Sequence, residues 1–337
     1  MRPFVSVVLP VHNVQAHISE TLDSLARQTH ADFEVIVIND GSEDGTLSEV
    51  HRCVRNDPRF VVVDWPDNRG IVAALNYGLS VARGEFIARM DGDDLCHPQR
   101  LALQSDFLIR NPGIGLVSSQ VGFLSGALDG RGFARYVWWL NQNCDAASIF
   151  RYRFVDAPVA HPSVMFRRQL VMDLGGYLDG PFPEDYELWL RLLESGVRMV
   201  KLPQLLLHWR DRPERLTRTH ARYHIDQVNQ LKAKYLARWL QKRGVSRIWV
   251  WGAGKTSRKR ANYLCDHGIE IGAFLDIDGK KIGQTVQGRP VYDGRRICDL
   301  KSEFVVSYVG SHGAREEIER LLLREGLLPE QDFLLAA

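Results

Sequence analysis

In the first hundred residues, four short apolar runs rich in β-branched side chains alternate with stretches of helical period, and each run ends in a polar loop. The runs are Phe4 to Leu9, Phe33 to Ile38, Phe60 to Val63 and Phe86 to Met90. Between them Ile18, Leu22 and Leu25 share one helical face, as do Val72, Leu75 and Leu79. Strands with no polar side need cover on both faces, so this alternation predicts an α/β fold with a mainly parallel central sheet and helices on each side. Ligands in such sheets gather at the carboxyl ends of the strands. Those ends carry Pro10, Val11, His12 and Asn13; Asn39 to Ser42; Asp67 to Gly70; and Asp91 to Asp94. Four polar loops therefore share one rim.

The chain has 337 residues, more than an ordinary domain of roughly 100 to 200. From Leu116 to Arg215 the pattern is less regular and rich in aromatics, including Trp138, Trp139, Trp189 and Trp209, and it reads as the second half of the first domain. A helix from Thr219 to Arg243, with Ile225, Val228, Leu231 and Leu236 near one face, leads to Gly244. There the alternation restarts: strand Arg247 to Trp251, helix Arg258 to His267, strands Ile271 to Leu275 and Phe304 to Tyr308, helix Ala314 to Arg324. The expected organisation is a domain over 1–220, a linker helix over 221–243 and a small Rossmann-like α/β domain over 244–337.

Charge is nearly balanced, 43 Lys and Arg against 41 Asp and Glu, so no global field recruits nucleic acid. Five scattered cysteines without a Cys-x-x-Cys pair argue against a disulfide framework or a zinc site and fit a reducing compartment. The N-terminus enters a strand at once, without the features of a signal peptide. No apolar stretch nears the roughly 18 to 20 residues that span a bilayer. The expectation is a cytoplasmic protein that meets a membrane only at its inner surface, by peripheral association.

Asp91, Asp93 and Asp94 crowd three carboxylates into one turn after a buried strand. Such acids repel unless a cation joins them, and Mg²⁺ or Mn²⁺ takes oxygen ligands of this kind; the alternative is an Asp-rich turn that caps the next helix. At the second strand end, glycines beside Asp40 let the backbone approach a ligand, and an Asp there accepts hydrogen bonds from a nucleobase or ribose. The alternative is a helix N-cap loop built on Asp44 and Thr46. Asn68 and Gly70, followed by Asn76 and Gly78, either present polar groups at a helix start or simply make turns.

In sequence order, SVVLPVHN, VIVINDGSEDGT, DNRGIVAALNYG and ARMDGDD resemble the family 2 glycosyltransferases, whose fold is called GT-A. HPQRL (His97 to Leu101), HPSVMFRR (His161 to Arg168), GGY (Gly175 to Tyr177) and PEDYELWLRL (Pro183 to Leu192) continue the resemblance over about two thirds of the chain. It implies a metal-dependent, inverting transfer of a sugar from a nucleotide diphosphate sugar, a UDP-sugar foremost, to a hydroxyl of a glycan or lipid-linked acceptor in surface polysaccharide synthesis. On the donor side it implies Pro10, Val11, His12, Asn13, Asp40, Asn68, Gly70, Asn76, Asp91 and Gly92, with Pro10 and Asp40 at the nucleobase and Asp91 at the ribose. Asp93 or Asp94 would hold Mn²⁺ or Mg²⁺, with His208 as a further metal or phosphate contact. Arg210 would reach the diphosphate; the later Arg212, Arg215 and Arg218 suit phosphate as well, the alternative being a solvated basic face. Asp185, in the Glu-Asp pair, would be the base, and His161 would shape the acceptor pocket or serve the core. His12 departs from the family, which usually has an aromatic such as Tyr; an imidazole can still pack flat.

The second domain opens IWVWGAGKTSRK, a strand, a glycine turn and a helix start in which Ser257 replaces the third glycine of a dinucleotide fingerprint. Asp276 falls where a ribose-binding acid would. FLDIDGKKIGQTVQGRPV resembles small Rossmann-like domains appended to some sugar-modifying enzymes, which recognise ligands or partners. Without a Tyr-x-x-x-Lys arrangement, this domain is expected to bind a partner or a second copy rather than to run redox chemistry. Two other functions are open to the whole chain. A sugar nucleotidyltransferase would carry a Gly-rich, Arg-containing loop after the first strand, and PVHNVQAHISETL has no glycine. A non-catalytic nucleotide-binding or scaffold protein would not need every acid of the motifs.

Overall fold

The computed structural model describes residues 5–124, 131–213, 215–299, 303–311 and 313–337. They fall into two compact units, one from Met1–Ile149 with Pro158–Ala221 and one from Phe150–Ala157 with Arg222–Ala337.

The first unit begins β1 (Val5–Val11), α1 (Ile18–Ala26), β2 (Phe33–Asp40), α2 (Thr46–Val54), β3 (Phe60–Trp65), α3 (Ile71–Val81), β4 (Phe86–Arg89) and β5 (Leu95–Cys96). It continues with α4 (Arg100–Arg110), β6 (Leu116–Leu124), α5 (Arg131–Gln142), α6 (Ala146–Arg151), β7 (Met165–Arg167), α7 (Arg168–Asp173), α8 (Glu184–Glu194), β8 (Met199–Arg210) and α9 (Leu216–Thr219). Its eight strands lie in the order β3-β2-β1-β4-β7-β6-β8-β5. β1, β2, β3 and β4 are mutually parallel where paired, as the apolar runs predict, and every residue of β1 and β2 is buried. Pro10 lies beyond the last β1–β4 pair, where a residue without an N–H is tolerated. β7 inserts antiparallel between β4 and β6, and β5 closes the sheet antiparallel to β8. The irregular middle of the sequence thus completes the sheet. β8 runs through His208 and Arg210. They stay extended because they pair with Gly122 and Leu124 of β6.

The second unit holds α10 (Ile225–Lys242), β9 (Arg247–Trp251), α11 (Lys255–Cys265), β10 (Glu270–Asp276), β11 (Thr285–Val286), β12 (Arg289–Asp293), β13 (Phe304–Ser307), α12 (Ala314–Arg324) and β14 (Phe333–Leu335). Its sheet, β11-β12-β10-β9-β13-β14, is parallel except for β11. The helix expected from Thr219 starts at Ile225. His224 caps it, its ring accepting the Asp226 N–H, and a separate short turn, Ala221–Tyr223, precedes it. α10 belongs to this unit: Asp226 accepts from the Tyr263 hydroxyl at 3.0 Å and pairs with Lys259 at 2.6 Å, both on α11. Among the described residues no helix is long and apolar enough to cross a membrane.

Candidate active site

At the ends of β1 and β2 the loops are locked into each other. His12 Nδ1 lies 2.8 Å from the Asp40 carbonyl oxygen. A carbonyl only accepts, so Nδ1 donates to it, and Nε2 lies 3.2 Å from the Asn13 amide nitrogen. Asn13 is held at φ 51° by its own contacts: its N–H donates to Ser42 Oγ and its side-chain oxygen accepts the Glu43 N–H. Asp40 is buried and accepts the backbone N–H groups of Arg69 at 2.6 Å and Gly70 at 3.0 Å, which holds the loop that starts α3. Gly41, at φ 62°, permits this approach, since a Cβ there would lie 2.4 Å from the Asn68 nitrogen. Asn68 accepts the Gly70 N–H as a local turn. The guanidinium of Arg69 stacks on Trp65.

β4 delivers the acidic cluster. Asp91, Asp93 and Asp94 each offer an oxygen within 4.8 Å of the others. Gly92 lets them press against the end of β1, because a Cβ there would meet Val11 at 2.9 Å and Val14 at 3.1 Å. Asp91 pairs with Arg89, and Asp93 with Arg212 at 2.6 Å. Asp94 is fully buried, accepts the Arg210 N–H with one oxygen at 2.8 Å, and leaves the other without a hydrogen-bond partner. Burial, and then the neighbouring carboxylates, raise the Asp94 carboxyl well above its ordinary range; burial and Asp91 raise Asp93 as well. A buried oxygen with no donor, among carboxylates that resist joint ionisation, fits a hard divalent cation. The ring of His208 is outside this group; it packs beside Gly122.

On the other side of β4, α8 opens with Glu184 and Asp185. Asp185 is half-buried, accepts the Tyr186 N–H at 2.7 Å, and is pushed up to about 7 by desolvation and then by the Glu184 charge. His161 Nε2 lies 2.9 Å from the Tyr177 hydroxyl, with Trp189 edge-on at 5.7 Å. Burial and then Arg89 hold His161 well below its usual range, so it is neutral. Asn76 is spent on Tyr177: its amide donates to the Tyr177 carbonyl and accepts the Tyr177 N–H, both at 2.8 Å. The structure thus places Asn76 behind the site as a pin. Pro10, His12, Asn13, Asp40, Asn68 and Gly70 sit together at one corner, and Asp91 to Asp94 beside it.

Arg210 follows a different course from a free cation. Its guanidinium pairs with Glu20 at 2.6 Å and donates to the Asp93 carbonyl at 2.8 Å. Nearby, a cavity of about 630 Å³ is lined by Asn13, Gln15, His17, Asp44, Glu49 and Arg212 among others. Arg215 is largely covered and Arg218 is exposed; both pair with buried Asp211, and Arg215 stacks on Trp209 and Phe133. Sequence reasoning missed Arg89 and Arg100, and named Arg212 without its pairing to Asp93. For Arg89 and Arg100 the signal is available: a charge inside the apolar run FIARM, and an Arg on the inner face of α4. Arg100 is fully buried and donates to the Arg89 carbonyl at 2.8 Å; burial lowers it to about 10.

In the second unit the glycine turn after β9 is closed on itself. Asp276 accepts the Ala253 N–H and the Lys281 ammonium with one oxygen, each at 3.0 Å, and the Asp278 N–H with the other.

Residues 6–175, half of the chain, match the family model described as glycosyl transferase family 2. Among relatives, a UDP-Gal:alpha-D-GlcNAc-diphosphoundecaprenol beta-1,3-galactosyltransferase of Escherichia coli is 29% identical over 69% of this chain and 82% of its own. The mannosyltransferase PcManGT of Pyrobaculum calidifontis, solved with GDP-Man and Mn²⁺, superposes with a TM-score of 0.51 at 23% identity, over 72% of this chain and 64% of that one. TarS of S. aureus, solved with UDP-GlcNAc, gives 0.54 at 19% identity over 78% and 80%. These likenesses place the first unit in the GT-A fold.

Proposed function

Because the chain belongs to glycosyl transferase family 2, we propose that it moves a sugar from a nucleoside diphosphate to a hydroxyl of a glycan or lipid-linked acceptor, with inversion at the anomeric carbon. The crowding of Asp91, Asp93 and Asp94, with one buried Asp94 oxygen unpartnered, carries this reading. Asp93 and Asp94 would hold Mn²⁺ or Mg²⁺, which neutralises charge on the departing diphosphate when bound. Pro10 and Asp40 flank the nucleobase, and Asp40 keeps lone pairs to spare after holding Arg69 and Gly70. Asp91 takes the ribose, and the Arg210 to Arg212 strand end faces the diphosphate. UDP is favoured by the names of the E. coli relative and the TarS complex. The same relative's diphosphoundecaprenol substrate favours an acceptor met at a membrane surface.

Asp185 is the acceptor base. A carboxyl poised near neutrality is strong enough to take a hydroxyl proton as the bond forms and still ionises at working pH. With Asp185 taking the acceptor proton, the acceptor oxygen displaces the diphosphate in one step, which inverts the anomeric carbon. The test is product analysis with sugar nucleotides. The parent should release nucleoside diphosphate in the presence of Mn²⁺, and folded Asp93→Ala and Asp185→Asn should release it more slowly by about 100-fold or more. Parent-like transfer by either variant would refute the site, and release of pyrophosphate would point to a nucleotidyltransferase.

A further inference from the structure

We propose that Arg89 is the positioning residue that ties the donor end of this site to its acceptor end; the inference rests on the roles given above to Asp91 and Asp185. Arg89 is the last residue of β4 and is buried. Toward the rim its guanidinium pairs with Asp91. Toward the acceptor side the strand packs on the turn His161–Ser163, whose His161 ring lies 2.9 Å from the Tyr177 hydroxyl, and the Arg89 charge there opposes protonation of His161 and favours ionisation of Tyr177 and Asp185. Its Nε–H has no hydrogen-bond acceptor among the described residues. The backbone beneath it is fixed: the Arg89 N–H donates to the Val164 carbonyl at 3.0 Å, and Arg100 bridges the carbonyls of Arg89 and Val164. A guanidinium on so rigid a mount holds its partner carboxylate in one orientation.

The groups facing Asp185 are Glu184 beside it on α8, the Tyr186 N–H, the Tyr177 phenol and Arg89 from β4. Glu184 opposes its ionisation, and Arg89 is the cation that favours it. One side chain therefore fixes the Asp91 carboxylate and limits how far the base is driven toward its protonated form. A buried Arg retained only for packing would do neither.

The experiment uses the full chain and two readouts. Calorimetry measures UDP binding with Mn²⁺, and carbon-13 NMR of aspartate-labelled protein follows the Asp185 carboxyl through pH, assigned by its loss in Asp185→Asn. Arg89→Gln should weaken UDP binding about tenfold and move the Asp185 midpoint to higher pH. Arg89→Lys should restore the midpoint, because the charge returns, but not the affinity, because an ammonium lacks the fork. An Arg89→Gln protein with parent affinity and an unmoved midpoint overturns the proposal. Should Arg89→Gln fail to fold, parent-like UDP affinity in Arg89→Lys overturns it equally. A parent that ignores UDP sinks the donor reading instead, and the Asp185 midpoint in Arg89→Gln then decides alone.

Discussion

Asp94 follows β4 in the first sheet and Asp276 ends β10 in the second, both at the carboxyl end of a parallel strand. Asp276 has a donor on each oxygen: two backbone N–H groups and Lys281 hold it, and these contacts outweigh burial and lower its carboxyl below the ordinary range. Asp94 is the reverse, with one oxygen bare, two acids beside it and its carboxyl driven up. Equivalent topology thus carries opposite electrostatics. An acid with both oxygens held by its own loop is a brace. One left short of donors in a buried cluster is poised for a ligand that brings positive charge.

The largest expected contrast is in turnover. Asp93→Ala combined with Asp94→Ala should lower kcat for sugar transfer by about 1,000-fold, whereas Asp276→Ala, assayed at a temperature where it is folded, should leave kcat unchanged. Next comes the base. Asp185→Asn should cost about 100-fold in kcat/KM. In the parent, Asp185 works as the carboxylate, so log kcat/KM should fall with unit slope as pH drops below about 7 and level off above it; the variant should lack that limb.

A smaller effect separates the two acids by sign. The folded state holds the Asp94 proton more tightly than the unfolded chain does, so its ionisation detracts from stability as pH rises through the window above the ordinary carboxylate range. Asp94→Asn keeps an oxygen for the Arg210 N–H and should raise Tm in EDTA at neutral pH. For Asp276 the contribution is present above the ordinary value and lost as pH falls through its lowered folded value. Asp276→Asn should therefore destabilise at neutral pH, by about 1 to 2 kcal/mol, measurable by urea unfolding. Smallest of all is Lys281→Ala. Its side chain is 38% exposed, and solvent screening should hold the loss to within about 0.5 kcal/mol.

What could be seen in the sequence follows from how much of each element is local. β1, β2 and β4 announce themselves because central parallel strands are apolar on both faces. β5, with two residues, and β7, with three, carry too little pattern, and their places are decided by pairing with β8, β4 and β6. The acids at Asp91 to Asp94 and Asp185 were readable from order and motif. Their electrostatic setting was not. Asp93 meets Arg212 from 119 positions away, and Arg210, taken for a phosphate contact, is engaged by Glu20 from α1. Asn76 looked like a donor contact because it is polar and near a helix start, yet its amide mimics a peptide group for Tyr177 across 101 positions. Nothing in the sequence showed that Asp211 would be buried and would pair with Arg215 and Arg218.

The most direct test of the contrast is calorimetric titration of UDP, GDP, CDP and TDP into the full chain, with Mn²⁺ and then with EDTA, for the parent, Asp94→Ala and Asp276→Ala. One nucleotide should bind the parent only with Mn²⁺, bind Asp276→Ala equally well, and fail to bind Asp94→Ala. Metal-independent binding that survives Asp94→Ala, or binding that is lost in a folded Asp276→Ala, would contradict the assignment of the cation and nucleotide site to the end of β4.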